Sequence, residues 1–137
     1  MSAGVFRLPA SMAGEIIDHS RSEAPRECCG LIAGGNGAAE QLYRLNNLAP
    51  GTELYDIDPA QLLELEFRTL PAIGREVVAI YHSHPHSPAW PSSTDIALAG
   101  WPDAVYLICS LEYHDAPSIR AFRIMDGSVE ELAIEMV

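Results

Sequence analysis

The chain has 137 residues and a formal net charge of −11 at pH 7; 48% of its residues are hydrophobic and 20% are charged. This length suits one domain, and no apolar run approaches the ~20 residues of a membrane-spanning helix. We therefore expect a single domain over residues 1–137 that does not cross a membrane. The eight Lys and Arg residues form no basic stripe on this negative chain, so we expect no nucleic-acid partner.

The amino terminus and the cysteines indicate a reducing compartment. The segment Met1–Arg7 has no basic stretch leading into an apolar one, unlike a signal peptide, so we predict that the protein stays in the cytoplasm. Cys28 and Cys29 are adjacent, which leaves Cys109 only one of them to pair with, and we predict reduced thiols. Cys28 and Cys29 are expected to be small core residues rather than nucleophiles.

Hydrophobic periodicity and turn residues predict the elements of the amino-terminal half. In chain order they are a strand over 5–8, an amphipathic helix from Pro9 to before Pro25, strands over 28–33 and 41–45 joined by a Gly-rich turn at 34–37, a loop over 46–51 and a helix from Asp58 to about Gly74. The second helix is expected to have a largely apolar face that contains Leu62, Leu63, Phe67, Leu70 and Ile73.

The carboxy-terminal half is predicted to be mainly strand. In chain order its elements are a strand over 77–81, a proline-rich loop, a short helix over 93–99, a strand over 104–110 and a closing hairpin of strands 118–124 and 129–134 around Asp126-Gly127. The combined order predicts the α/β class, with one mixed β-sheet flanked by helices.

The proline-rich loop contains a candidate metal site. His82 and His84 follow the apolar strand Val77–Tyr81. Residues i and i+2 of a strand lie on the same face about 6.6 Å apart, which allows two imidazoles to converge on one ion. Asp95 follows His84 by eleven residues, across a loop that three prolines stiffen. Three N/O ligands leave one tetrahedral position open, which is typical of a catalytic zinc site.

Each of these residues also has an ordinary structural interpretation. The segment Ser92-Ser93-Thr94-Asp95 fits a capping box, in which Ser92 caps the short helix and Asp95 favours its positive end. A His-x-His pair by itself is as typical of two polar residues at a strand end as of a metal site. The combination of both histidines with a downstream acid favours the metal site.

Glu27 is a candidate general base. It stands directly before the strand that begins at Cys28, so it lies beside the metal if this strand pairs with Val77–Tyr81. A carboxylate in that place can take a proton from a zinc-activated water and hand it to a leaving amine. The alternative is a solvated loop glutamate, which is the commoner case for such a local sequence.

Together, Glu27, His82, His84, Ser92 and Asp95 resemble the motif of the JAMM (MPN+, Mov34/PAD-1) metalloproteases, and the likeness extends over nearly the whole chain. The resemblance implies a JAMM/MPN fold, related to the α-β-α fold of cytidine deaminases. It implies one Zn²⁺ with a bound water, held by His82, His84 and Asp95. It further implies that Glu27 is the general acid/base and that Ser92 stabilises the tetrahedral oxyanion.

The short prokaryotic type, similar to the CysO-cysteine peptidase group, also implies a substrate. Such enzymes cleave after the terminal Gly-Gly of ubiquitin-like sulfur carriers of the ThiS and MoaD type, and they release cysteine or a short peptide. Residues 46–59 and 88–91 are candidate walls of the substrate groove. Trp90 is expected either to contact the carrier or to belong to a lid that packs on its own domain.

Other functions are compatible with parts of this pattern. A JAMM peptidase for free peptides, or for cell-wall or phage-related substrates, would use the same metal chemistry. A non-catalytic MPN interaction module would not need all five residues. A zinc deaminase of related fold needs a His-x-Glu and a downstream Pro-Cys-x-x-Cys, and this sequence has neither.

Overall fold

A seven-stranded mixed sheet forms the centre of the structure, a computed structural model that describes residues 4–137. Its strands are β1 (Val5–Leu8), β2 (Cys29–Gly35), β3 (Ala38–Leu45), β4 (Glu76–His84), β5 (Val105–Ser110), β6 (Ser118–Met125) and β7 (Ser128–Met136). They lie in the order β1-β7-β6-β5-β4-β2-β3. The pairs β1–β7 and β4–β5 are parallel and the others are antiparallel, which confirms the predicted mixed α/β sheet.

Helices cover both faces of this sheet. They are α1 (Ala10–Glu23), α2 (Pro59–Glu64), α3 (Leu70–Ala72) and α4 (Ser93–Leu98). Helix α1 buries Ala13 and Ile16 against one face, as its predicted amphipathic pattern requires. Leu65 and Leu70 pack on the opposite face, against Leu31 of β2. Within the described chain, no helix is long and apolar enough to span a bilayer.

The second long helix differs from its prediction. The sequence pattern predicts one continuous α-helix to about Gly74, but a π-helical turn over Leu65–Thr69 separates α2 from α3. Leu63 is 55% exposed and Phe67 is 68% exposed, whereas Leu65 is buried. A π turn has a wider repeat than 3.6 residues and therefore rotates the buried face. The predicted apolar face was wrong at Leu63, Phe67 and Ile73, which are exposed, because it assumed an unbroken α-helical period, whereas Leu62 and Leu70 do pack against the sheet.

One side chain holds the long loop between β3 and α2. The amide nitrogen of Asn47 donates to the carbonyl oxygens of Glu27 at 2.9 Å and Leu54 at 3.0 Å. Its amide oxygen accepts from the backbone N–H groups of Ala49 and Asp56, both at 2.9 Å. Asn47 thus joins the two ends of the loop to each other and to Glu27, which lies two residues before β2.

A buried polar pair lies between α1 and the sheet. His19, for which the sequence indicates no partner, lies with Nδ1 2.7 Å from the hydroxyl oxygen of Tyr81. The Tyr81 ring crosses directly over Gly30, where a Cβ atom would overlap the ring. Gly30 is therefore required for this packing, because any side chain would displace Tyr81 and its contact with His19.

We expect Gly30→Ala to lower the free energy of unfolding by about 1–3 kcal/mol, since it overpacks the core against Tyr81. Gly14→Ala is the matched control, because a Cβ on this exposed helical glycine meets no atom. Gly14→Ala should raise the free energy of unfolding by up to about 1 kcal/mol, because alanine favours a helix more than glycine does. Urea unfolding measures both, and equal effects of the two substitutions would contradict the packing argument.

Asn47→Ala should lower the free energy of unfolding by about 2–3 kcal/mol, because it leaves backbone groups of the loop without partners. The neighbouring Asn46 is exposed, and its bonds to Gln61 and Asp58 use only its backbone atoms. Asn46→Ala should change stability by less than about 0.5 kcal/mol. A similar loss for both variants in urea unfolding would show that the loop is not anchored through Asn47.

Candidate metal centre and active site

Strand pairing brings the predicted site residues together. Strand β2 runs antiparallel to β4 with Cys29 opposite His82. Continuing this register by two residues places Glu27 opposite His84. Since successive side chains of a strand point to alternate faces, the two imidazoles and the Glu27 carboxyl emerge on the same face of the sheet. The pairing on which the hypothesis for Glu27 depends is present.

Both histidines lie inside a strand rather than after one. The predicted strand ends at Tyr81, but β4 continues to His84, because β5 pairs with it as far as Ser110. His82 is 1% exposed and His84 is 4% exposed. The imidazoles are therefore held by hydrogen-bonded backbone and by packing, which fixes their separation.

The two imidazoles converge with Asp95 on one point. Nε2 of His82 lies 3.2 Å from Nε2 of His84, and each nitrogen lies 3.1 Å from Oδ2 of Asp95. A tetrahedral ion with bonds of about 2.0–2.1 Å separates its ligand atoms by about 3.3 Å. The three atoms thus fit one face of a metal tetrahedron, and this group is the candidate metal cluster among residues 4–137.

The same contacts that cap α4 orient Asp95. The Ser92 N–H donates to Oδ2 of Asp95 at 2.9 Å, and the Asp95 N–H donates to Oγ of Ser92 at 3.0 Å. This is the predicted capping box. Because Oδ2 also faces both imidazoles, the capping and ligand interpretations of Asp95 are compatible, and the cap sets where the carboxylate points.

Backbone and ring contacts orient the histidines. Nδ1 of His84 lies 2.8 Å from the carbonyl oxygen of Pro88. A carbonyl can only accept, so Nδ1 carries the proton, and the lone pair of the neutral ring lies on Nε2, toward Asp95. The His82 ring stacks on Tyr55, with centroids 4.3 Å apart and planes inclined by 20°.

The cluster attracts one positive charge. Burial alone would raise the pKa of Asp95, but contacts with His82 and His84 outweigh it and hold that pKa well below its usual range. Burial lowers the pKa of His82. Burial also opposes the protonation of His84, yet Asp95 and the Pro88 carbonyl raise its pKa. A proton or a metal cation can meet this demand, and the donor geometry fits a metal.

Glu27 lies beside the cluster in an unusual state for a carboxyl group. Its side chain is buried, and burial raises the pKa of Glu27 to about 7, against the opposing influence of His84. Oε1 has no hydrogen-bond partner among the described residues. A buried carboxyl oxygen without a protein partner, with a pKa near neutrality, is suited to exchange protons with a molecule in the adjacent cleft.

Two cavities meet at the cluster. The cavity on the Glu27 side has a volume of about 520 Å³, and its walls include Thr52, Glu53, His86, Ser87 and Ser92. The cavity beyond Asp95 has a volume of about 330 Å³, and its walls include Tyr55, Ile57, Leu62, Leu98 and Trp101. Leu54 and Thr94 line both. The loop over residues 52–57 therefore forms a wall of the cleft, as expected for the segment 46–59.

Trp90 packs on its own domain. Its ring meets Phe122 edge-on, with centroids 5.1 Å apart, and the Arg120 guanidinium lies 5.3 Å from its centroid. Neither of the two cavities is lined by Trp90. Of the two interpretations of this loop, the structure therefore favours the packed lid. The loop contributes to the site through the Pro88 carbonyl instead.

Sequence reasoning missed two supporting residues. Tyr55 stacks on His82, and Asn47 holds the loop that carries Tyr55. An asparagine at the start of a Pro-Gly loop is a signal for a side chain that bonds the nearby backbone, and this signal points to Asn47. No local signal identifies Tyr55, because its contact depends on how the loop folds over β4.

Known proteins are similar to this chain in sequence. Residues 9–125 match the family model described as prokaryotic homologs of the JAB domain. The CysO-cysteine peptidase of Mycobacterium tuberculosis is 32% identical over 97% of this chain and 92% of its own. The Desampylase of Haloferax volcanii is 34% identical over 80% of this chain and 84% of its own.

A solved structure has a similar fold. The solution structure of a protein from Desulfitobacterium hafniense superposes with a TM-score of 0.86 and 33% identity, covering 97% of this chain and 92% of the other. The resemblance drawn from Glu27, His82, His84, Ser92 and Asp95 is thereby confirmed at the level of the family and its fold. The chain belongs to the prokaryotic JAB-domain family, the JAMM/MPN group of metallopeptidases.

Proposed function

We propose that this protein is a zinc-dependent peptidase that hydrolyses the peptide or isopeptide bond after the terminal Gly-Gly of a ubiquitin-like sulfur carrier of the ThiS or MoaD type. One observation carries the proposal: the ligand atoms of His82, His84 and Asp95 converge beside the buried carboxyl of Glu27 in an open cleft. The names of the CysO-cysteine peptidase and the Desampylase support a conjugate as substrate.

His82, His84 and Asp95 would hold the zinc ion through Nε2, Nε2 and Oδ2. When bound, zinc supplies a Lewis acid that polarises a carbonyl and activates a water molecule near neutral pH. Two neutral imidazoles and one carboxylate are a common ligand set for catalytic zinc. The Pro88 carbonyl and the Ser92 N–H hold two of these ligands in the required orientation.

Glu27 would move the proton. Its unpartnered Oε1 takes a proton from the attacking water and delivers it to the leaving nitrogen as the amide C–N bond breaks. Burial raises the pKa of Glu27 above that of an exposed carboxyl group, to about 7, which favours proton exchange at this oxygen. The carboxyl group therefore acts first as base and then as acid within one turnover.

Ser92 would stabilise the oxyanion. Its Oγ accepts a hydrogen bond from the Asp95 N–H, which leaves the hydroxyl proton free to donate toward the cleft that Ser92 lines. A donor aimed at the developing oxyanion contributes about 3 kcal/mol in comparable enzymes. The capping role and the catalytic role use different parts of the same hydroxyl group.

Purified protein should contain about one zinc ion per chain by elemental analysis, and His84→Ala should lose it, since one of three ligands is removed. His114→Ala is the control, because this exposed histidine lies outside the cluster and should leave the zinc content unchanged. Folded wild-type protein that remains zinc-free after incubation with zinc would refute the assigned cofactor.

Mass spectrometry should show cleavage of a ThiS-type carrier extended beyond its Gly-Gly terminus. Glu27→Gln should retain zinc but lose at least about a hundredfold in kcat, the usual size of a general acid/base contribution. Glu23→Gln, an exposed neighbour, should cleave like the wild type. Undiminished turnover by Glu27→Gln would refute the assignment of Glu27 as the general acid/base. Wild-type protein that cleaves free peptides but not carriers would refute the proposed substrate and indicate a peptidase for free peptides.

A further inference from the structure

The cavity on the Glu27 side is the place for the leaving group, if the proposed function holds. The amide nitrogen must receive its proton from Glu27 as the C–N bond breaks, so the atoms attached to that nitrogen extend into the space beside Glu27. This space is the cavity of about 520 Å³ that Glu53 and His86 also line. Its chemistry therefore decides which leaving groups the enzyme accepts.

The charge of that cavity is unfavourable for an anion. Two carboxyl groups, Glu27 and Glu53, line it, and none of its lining residues is an arginine. The guanidinium of the nearby Arg26 is committed elsewhere, because it donates to the backbone carbonyls of Asn47 and Ala49. The remaining nitrogen-bearing side chains of the lining are those of His84, whose Nε2 faces Asp95, and His86.

A bound zinc ion does not reverse this balance. Asp95 cancels one of its two charges, and the two histidine ligands are neutral. The Glu53 carboxylate, which lines the leaving-group cavity, matches the single charge that remains, so the site as a whole offers a leaving carboxylate no net positive charge. Glu53 is exposed, and no cationic side chain among residues 4–137 forms an ion pair with it.

Substrate geometry makes this charge matter. When the leaving group is a single amino acid, its carboxylate carbon lies only about 2.5 Å from the leaving nitrogen, as N–Cα and Cα–C bond lengths require. That carboxylate cannot avoid the cavity. When the leaving group is a lysine side chain of a conjugated protein, the leaving nitrogen is attached to a methylene chain with no carboxyl group beside it. When the leaving group is the first residue of a longer peptide, the corresponding carboxyl group is an uncharged amide.

We propose that Glu53 is a specificity-determining residue that disfavours a free α-carboxylate next to the scissile bond. The preferred substrates join the carrier's terminal glycine to an amine that has no free carboxylate beside it, such as a lysine side chain of a conjugated protein or the first residue of a peptide extension. Release of a single free amino acid is the slower reaction. In each case water adds to the glycine carbonyl, the C–N bond breaks, and Glu27 carries the proton from water to nitrogen.

Two substrates that differ in one charge test this proposal. A ThiS-type carrier ending in Gly-Gly-Ala is prepared as the free acid and as the carboxamide, and both are assayed with the zinc-loaded enzyme at pH 8. Alanine avoids a thiol that could bind zinc. We expect kcat/KM to be at least about tenfold higher for the carboxamide, because the free acid brings a second negative charge into the cavity that the Glu53 carboxylate lines.

Glu53→Gln should reduce the carboxamide preference to about threefold or less, mainly by improving turnover of the free acid. Glu130→Gln, which removes an exposed carboxylate on β7 instead, should keep both rates and their ratio. Equal rates for the two substrates, a faster free acid, or an unchanged ratio in Glu53→Gln would overturn this inference while the proposed function stands. Cleavage of neither substrate would refute the proposed function itself.

Discussion

The antiparallel pairing of β2 with β4, with Cys29 opposite His82, is the constraint on which the site depends. A slip of one residue in this register would move Glu27 to the opposite face from both histidines, because side chains alternate along a strand. The pairing also sets the distance between the Glu27 carboxyl group and the ligand cluster. Two segments more than fifty residues apart in the chain are thus brought together by the strand ladder and by core packing.

Each ligand of the candidate metal centre is held by a separate part of the fold. The Pro88 carbonyl sets the tautomer of His84, the Ser92 N–H directs the Asp95 carboxylate, and the Tyr55 ring supports His82. Three electron-rich atoms at 3.1–3.2 Å repel one another unless a positive charge lies among them. Supporting contacts of this kind preorganise a metal site before the ion arrives.

The sequence predicts that the residues of the candidate site lie together, because their spacing depends on local geometry. His82 and His84 share a face in any strand, and the capping box places Asp95 at the first turn of α4. The π-helical turn at Leu65–Thr69 could not be predicted from a period of 3.6 residues, since tertiary packing decides it. Tyr55 could not be predicted from its local sequence either, because it lies in a loop and its partner His82 lies in the distant strand β4.

Catalysis and specificity meet in the loop between β3 and α2. Tyr55 of this loop stacks on His82, and Leu54 lines both cavities. Glu53 places a carboxylate in the cavity on the Glu27 side. Asn47 fastens this loop to the carbonyl of Glu27, so that the walls of the cleft and the Glu27 carboxyl group are positioned together. Because Glu53 neither belongs to the metal cluster nor supports its ligands, exchanging it can alter the accepted leaving group without disturbing the candidate metal centre. The same strands and ligands can therefore serve enzymes that act on different conjugates.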